Sequence, residues 1–570
     1  MQRSYEIQGL RALAVTLVLL FHAGWLPGGY IGVDVFYVIS GYLITSLIIN
    51  DKEFSFRKFY ARRAKRLLPM AFLVLLVTAA FFWVLAPSAS RLQFSKDFLA
   101  STWYVSNYLY AHWQNDYQNL GATPSPLIHY WSLAVEEQFY LFWPLLLFLF
   151  KSIRKQAVIV TTVLSFILSL FLINYAPIFA FYSLPTRAFE LGLGAIIALF
   201  PIRTRLIWPG IALIVTGAML FNSQTPFPGV PALIPTFGAA MVLTSLKKNA
   251  LLSNAISRKI GDWSYSLYLW HWPFLTIPAL YLQRELGDKE KLAMFIFCIF
   301  VSALSYKYVE NPIRLASFSN RRVVIATLLS GLLLSTTSLA IAATNREVAY
   351  NLTKPIIYAN GCHQGYSGYE LKAGCIFGDT SASRSVALLG DSHAAQWFPA
   401  IDKWAKRTGF KLYTFTKSSC PAFSIPMRDN GAFKAENCLK FRTAALNEIA
   451  TLKPELVILG NFEHYKVSES SYLKAEKFKF KYLLIRDTPW PNRDIPACIS
   501  TKSKCDTPLP LKIAFKSKNI FDPLPFLCNS KCPAIVDGLL AYRDQTHITI
   551  DMAEHLEPVL GAKLDSLVAG

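Results

Sequence analysis

The chain has 570 residues, 53% of them hydrophobic, with 41 Phe, 13 Trp and a formal net charge of +21. A mean hydropathy of +0.33 is too high for a string of soluble domains, so the composition points to a membrane protein. The charge is no argument for nucleic acid, because it falls in short clusters between apolar segments, where the positive-inside rule accounts for it.

Apolar spans fall at about 8–27, 32–50, 67–86, 130–150, 157–174, 182–200, 206–221, 230–246, 263–282, 292–309 and 323–344, eleven in all. The first shows no small-residue cleavage pattern and leads straight into the second, so it is expected to remain as a helix. Basic clusters follow the second span (Arg57, Lys58, Arg62, Arg63, Lys65, Arg66), the fourth (Lys151, Arg154, Lys155), the sixth (Arg203, Arg205), the eighth (Lys247, Lys248, Arg258, Lys259) and the tenth (Arg314, Arg321, Arg322). Even-numbered spans are therefore expected to end in the cytoplasm, and the eleventh to deliver residues 345–570 outside. Residues 97–113 are apolar but short and rich in Tyr and Trp. Counting them as a crossing would put the basic loops outside, so an interfacial or re-entrant helix is expected.

Ionisable residues enter these spans repeatedly. Arg11 and His22 stand eleven residues apart in or beside the first, about 16 Å along a helix. His129, Glu136 and Glu137 lie in the fourth, Arg187 and Glu190 in the sixth, and His271 in the ninth. A single arginine can snorkel to the surface and a single histidine can end a helix. So many together predict a buried functional cavity.

The second half reads as a tether, 345–384, and an α/β domain, 385–570. "SVALLG", "FKLYTFT", "LVILGN" and "KYLLIRD" are strand-like, and "AAQWFPAIDKWAKRTG" and "FRTAALNEIATLK" are helical, an alternation that favours a parallel, doubly wound sheet. Ser392 in "LLGDSHAAQW" falls on a strand-to-helix turn, where it is either a plain N-cap or a nucleophile beside a helix amino terminus. Asp544 and His547 in "YRDQTHIT" could supply the rest of a Ser-His-Asp triad. Eight of nine cysteines lie here as close couples: Cys362 with Cys375, Cys420 with Cys438, Cys498 with Cys505, and Cys528 with Cys532. An even set in one soluble half suggests disulfides and an oxidising compartment, with nearest neighbours paired out of on the order of 100 connectivities. Zinc spacing is absent, so no metal is expected.

"RALAVTLVLLFH", "FYARRAKRLLP", "WSLAVEEQFYLFWP", "YSLYLWHWPF" and "YVENPIR", in that order, resemble the acyltransferase-3 family of integral membrane acyltransferases over about residues 5–315. The resemblance implies that Arg11 and His22 serve acyl transfer and that the donor is an acyl-CoA, usually acetyl-CoA, met from the cytoplasm. Arg11, Arg62, Arg63 and Arg66 would then form a cationic mouth for its phosphates. His22 would be a general base or pass the acyl group outward, with Glu136 or Glu137 orienting an imidazole.

"GDSHAAQW", "SSCPAF", "LCNSKC" and "YRDQTHIT" resemble the SGNH domain fused to such membrane domains, over about 385–550. That resemblance makes Ser392, Asp544 and His547 catalytic, with an oxyanion hole from Ser392, Asn461 of "VILGNFEHY" and a glycine that "TKSSCPAF" does not contain. His464, close to Asn461, is read as a loop residue. The expected whole is a multi-pass bacterial inner-membrane domain (1–320), a lipid-facing linking helix (321–344), the periplasmic tether and a flavodoxin-like three-layer SGNH domain. It would acetylate a periplasmic glycan, undecaprenyl-linked O-antigen first and peptidoglycan second. The rival is a transporter or flippase with an outer glycan esterase, although no pair of Gly/Pro-broken spans supports it.

Overall fold

The computed structural model describes residues 5–86, 90–112, 124–222, 225–245, 249–282, 286–344, 350–366, 368–425, 427, 434–462, 480–491, 493–500, 505–509 and 519–569. Lys247, Lys248, Trp113 and His464 lie outside them. The chain divides into two compact units, one of residues 1–86 and 90–345 and one of 87–89 and 346–570.

The first unit is helical, and each of the eleven predicted spans falls on a helix. Those that build its centre are α1 (Tyr5–His22), α2 (Gly32–Asn50), α3 (Phe56–Leu85), α4 (Arg91–Thr102), α5 (Ser106–His112), α6 (Tyr130–Leu149), α7 (Arg154–Tyr175), α8 (Pro177–Tyr182) and α9 (Leu184–Leu199). They are followed by α10 (Ile207–Leu220), α11 (Leu233–Thr244), α12 (Ala250–Ser253), α13 (Ala255–Leu282), α14 (Asp288–Ser305), α15 (Asn311–Leu315) and α16 (Asn320–Ala343). Among the described residues, six stretches have the length and hydropathy of a membrane crossing: 29–50, 56–85, 130–149, 151–175, 288–315 and 320–343. Packing between α2 and α9 is backbone-close. A Cβ on Gly41 would meet the Leu191 carbonyl oxygen at 1.8 Å, and one on Gly194 that of Val38 at 2.1 Å, the small-residue contact through which apolar helices associate.

Residues 97–112 are not one helix. Tyr104 takes a positive φ of 54° and separates α4, 12 residues, from α5, 7 residues, each too short to cross. The linking helix α16 differs from the lipid-facing expectation. Val323, Gly331, Leu334, Ser338 and Ile341 form a buried stripe, while Leu328, Leu329, Leu332 and Leu333 are exposed. Ser338 Oγ donates to the Ser95 carbonyl at 2.7 Å, and Trp103 Nε1 to Ser335 Oγ at 3.1 Å. One face is thus docked on α4.

In the second unit, beside an antiparallel pair formed by Ile535–Val536 and Leu539–Leu540, the described strands of the main sheet are β1 (His363–Gln364), β2 (Ile376–Gly378), β3 (Ser385–Gly390), β4 (Lys411–Lys417), β5 (Leu456–Gly460), β6 (Tyr482–Ile485) and β7 (Ile520–Phe521). The order is β1-β4-β3-β5-β6-β7, all parallel, with β2 antiparallel to β4. From β4 to β7 this is the flavodoxin-like order, whose switch point lies where β3 is flanked by β4 and β5. Strand alternation sets the layers. Val386 and Leu388 face a core with Trp397, Ile401 and Trp404 of the stretch around the helix Phe398–Thr408. Ala387 and Leu389 face Phe441, Ala445 and Ile449 of the helix Ala435–Leu452. All four neighbouring cysteine couples are bonded.

Candidate functional site

Ser392 follows the carboxyl end of β3, at the switch point. Gly390 and Gly460 pair across β3 and β5, and a Cβ on Gly390 would lie 1.9 Å from the Gly460 carbonyl oxygen. Only glycine lets the two strand ends close up there. Asp391 caps the turn: its Oδ1 accepts from His393 N at 2.8 Å and its Oδ2 from Phe462 N at 2.9 Å. The residue after Ser392 and the residue after Asn461 are therefore tied to one buried carboxylate. The helix that Ser392 begins ends at Ala395, too short for the dipole stabilisation the sequence invited.

The expected base, His547, comes from the opposite end of the domain's sequence. Asp544 Oδ1 accepts from the backbone N of Thr546 and of His547, both at 2.8 Å, closing a tight turn. The carboxylate then accepts from His547 Nδ1 at 3.0 Å. With the proton on Nδ1, Nε2 keeps its lone pair, and it has no hydrogen-bond partner among the described residues. Ile548 N donates to Gln396 Oε1 at 2.9 Å, which pins this loop beside the Ser392 helix. Ser392 Oγ and His547 Nε2 are not bonded to each other here, a contact that commonly tightens only with substrate. Burial pushes His547 below its ordinary value, with the Asp544 hydrogen bond opposing. For Asp544, burial pushes upward, but the hydrogen bond and charge of His547 outweigh it and hold the carboxyl well below its usual range.

Asn461 directly follows β5 and is 3% exposed. Its Oδ1 accepts from Ala422 N at 2.6 Å, which leaves Nδ2 as the donor, and Nδ2 has no partner among the described residues. In place of the missing glycine, "SSCPAF" supplies the clamp that orients this side chain. The loop is braced by the Cys420–Cys438 disulfide and by Arg442, whose Nη1 donates to the carbonyls of Pro421 and Phe423 at 3.3 and 3.0 Å.

In the helical unit, Arg11, Arg63, Arg66, Glu136, Tyr140 and Tyr268 line one cavity. Glu136 accepts from the hydroxyls of Ser40 and Tyr140, and so orients no imidazole. His22 is held instead by a histidine. His271 Nδ1 donates to the Tyr268 carbonyl at 2.6 Å, so its Nε2 is the acceptor for His22 Nδ1 at 2.8 Å. This relay places the unprotonated nitrogen of His22 at Nε2. The His129 ring lies 5.5 Å from that of His271, with Nε2 bonded to the Leu269 carbonyl at 3.1 Å. Tyr268 joins the two groups: its ring lines the cavity, its carbonyl anchors His271 and its hydroxyl donates to the His129 carbonyl at 3.0 Å.

Three predicted cavity residues stand apart. Arg62 is exposed and pairs with Asp51 at 3.5 Å, because it points off the face of α3 that carries Arg63 and Arg66. Glu137 is half-buried and does not line the cavity, its neighbour Glu136 having the inward position. Arg187 is buried with Asp34 at 3.3 Å and Glu190 at 3.2 Å, under the rings of Tyr37 and Trp131. Among the described residues no cluster of three or more His, Cys, Asp or Glu could hold a metal ion.

The model of the acyltransferase domain family matches residues 4–309, more than half of the chain. The chain belongs to the acyltransferase-3 family. The model of the SGNH domain fused to AT3 domains matches residues 361–562. Among acyltransferase-3 relatives, "O-acetyltransferase OatA" of Staphylococcus aureus is 31% identical over 354 residues, 55% of this chain and 57% of its own. "Peptidoglycan O-acetyltransferase OatA" of Listeria monocytogenes is 31% identical over 358 residues, 55% of this chain and 56% of its own. The matches thus span little more than half the length of these relatives. The lipopolysaccharide acetyltransferase periplasmic domain of Salmonella ser. Paratyphi A shares 19% identity over 37% of this chain and 93% of its own, with a TM-score of 0.29, too low to support an inference.

Within this acyltransferase-3 chain, sequence reasoning missed His393, Asp487, Gln396, Ser40 and Tyr268 beside the two groups of residues, and Asp34 as the partner of Arg187. Asp34 alone carried a signal, a carboxylate inside an apolar span.

Proposed function

We propose that the chain is a membrane O-acyltransferase that takes an acetyl group from cytoplasmic acetyl-CoA and delivers it, through Ser392, to a hydroxyl of a periplasmic glycan. The observation that carries this is a pair of groups near Ser392 that have no hydrogen-bond partner among the described residues: the acceptor lone pair of His547 Nε2 and the donor Nδ2 of Asn461. One is a base without its acid, the other an oxyanion donor without its oxyanion.

In the first step Ser392 gives its proton to His547 Nε2 while Oγ bonds the acyl carbon. The bond from that carbon to its carrier breaks, and His547 returns the proton to the leaving group. In the second step a sugar hydroxyl gives its proton to His547 and attacks the ester. Ser392 Oγ leaves and takes that proton back. Asn461 Nδ2 faces the negative charge in both steps, and Asp544 stabilises the imidazolium.

For the donor, Arg11, Arg63 and Arg66 bring three guanidiniums to a cavity with one lining carboxylate, Glu136, a balance suited to phosphates. His22, its tautomer set by His271, is the base or carrier on that side. The acceptor we favour is O-antigen carried on a lipid-linked intermediate. A second reading, peptidoglycan, is favoured by the name of the Listeria relative.

Membranes bearing wild-type or Ser392→Ala protein, supplied with radiolabelled acetyl-CoA and either O-antigen or peptidoglycan fragments, test the proposal. Base-labile label is expected in one glycan with wild type and about 100-fold or more below that in the variant. Equal labelling in both, or glycan that loses acetyl groups, contradicts it and favours the esterase-transporter alternative.

A further inference from the structure

His393 is the neighbour of the proposed nucleophile, yet no step above uses it. Its Nδ1 donates to Asp487 Oδ1 at 2.7 Å, and both side chains are 5% exposed. Asp487 Oδ1 also accepts from Thr488 N at 2.8 Å, so the carboxylate is fixed just beyond the end of β6. Two rings lie against that of His393: Phe462 stacks on it with centroids 4.5 Å apart at 29°, and His547 is tilted to it by 34° with centroids 4.6 Å apart. The three rings come from the residue after Ser392, the residue after Asn461, and the base itself.

We propose that His393, polarised by Asp487, is a positioning residue that seats the His547 ring and stabilises, through the ring it lays beside it, the imidazolium formed when Ser392 gives up its proton. The inference rests on the reading of Ser392 and His547 given above. The Nδ1–H bond to a carboxylate loads electron density onto the His393 ring, and an aromatic face with negative charge attracts a cation stacked on it. His547 is neutral before proton transfer and cationic after it, so this attraction grows toward the transition state, where it lowers the barrier. The contact also fixes the plane of a base whose loop is otherwise held by Asp544 and Gln396.

Asp391, Asp487 and Asp544 bring three carboxyl groups to the pair, with Asp391 pushed upward by burial, and the guanidinium of Arg543, 3.5 Å from Asp544, opposes them. His363 is the other imidazole whose titration feels His547, and burial holds it at about 3. Burial takes His393 itself down to about 4, against the pull of Asp391 and Asp544. It is therefore uncharged at neutral pH and does not repel the imidazolium.

The test uses the full chain in detergent with 4-nitrophenyl acetate as acyl donor, reading kcat, KM and the pH profile of kcat/KM. Asp487→Asn keeps an acceptor for His393 Nδ1 but removes the charge. It should lower kcat about tenfold with KM within about twofold, and move the acid limb to lower pH, because the His547 cation has lost support. His393→Ala should lower kcat about 10- to 100-fold. If His393→Ala does not fold, Asp487→Asn decides alone. Unchanged kcat in Asp487→Asn, or an acid limb that moves to higher pH, overturns the inference. Ser392→Ala separates the two layers. Hydrolysis that persists in it defeats the nucleophile reading, whereas hydrolysis that it abolishes and Asp487→Asn leaves intact defeats only the role of His393.

Discussion

The most exposed commitment at the residue scale is Asn461. Its amide is oriented by one hydrogen bond from Ala422 N and contributes one donor to the site. Asn461→Ala is predicted to lower kcat for acyl transfer by about 10²–10³ with little change in KM, since the donor acts on charge that exists only in the transition state. Steady-state kinetics on the full chain check it, and an unchanged kcat would remove Asn461 from the oxyanion hole. Buried histidines give a second prediction, of stability against pH. His363 and His393 titrate at 6.5 when unperturbed, and burial holds them at about 3 and about 4 in the fold. Between pH 6.5 and 4 the unfolded chain therefore binds protons that the folded chain does not, so stability falls as pH falls through that window. Thermal unfolding of this domain's transition at a series of pH values should show it, and His393→Phe should reduce the slope. Ser392 and the Asp-x-x-His pair could be picked out of the sequence because each lies in a local motif. Asp487 was not, because it meets His393 across 94 residues, and His271 meets His22 across 249. Spacing along the chain carries no record of such contacts.

Elements fared by length. β3, β4, β5 and β6 were read from the sequence as apolar runs, and the helices between them as amphipathic stretches. β1 and β7, two residues each, and β2, three residues, are too short to show a period, and pairing with a neighbour alone defines them. The strand ends give a test. Gly390→Ala places a methyl 1.9 Å from the Gly460 carbonyl, against backbone that cannot yield without separating β3 from β5. We predict a loss of about 3 kcal/mol or more in this unit and no acylable Ser392, measured by chemical denaturation and by labelling with an activated phosphonate. Normal labelling would show that the switch point tolerates a wider gap. In α16 the sequence failed for a different reason. The helix is apolar on all sides, so nothing distinguishes its packed stripe from its lipid-facing leucines. Only contacts such as Ser338 to Ser95 reveal which face is docked.

At the scale of the whole molecule, the division into an apolar helical unit and an α/β unit followed directly from composition and from where the cysteines fall. The cavity did not, because which arginines on α3 face inward depends on how that helix is rotated against α1, α2 and α6. Arg63 and Arg66 face the cavity and Arg62 faces solvent, although the three stand within four residues of one another. The account makes the two units successive stations for one acyl group, with His22 serving the first and Ser392 the second. Peptide mass spectrometry of the full chain, incubated in membranes with acetyl-CoA and no glycan acceptor, tests that claim most directly. The account predicts an acetyl ester on the peptide carrying Ser392 in wild type, absent from His22→Ala protein present at equal abundance, and discharged when acceptor is added. An ester that forms equally in His22→Ala, or glycan acetylation with no ester ever detected on Ser392, would contradict it.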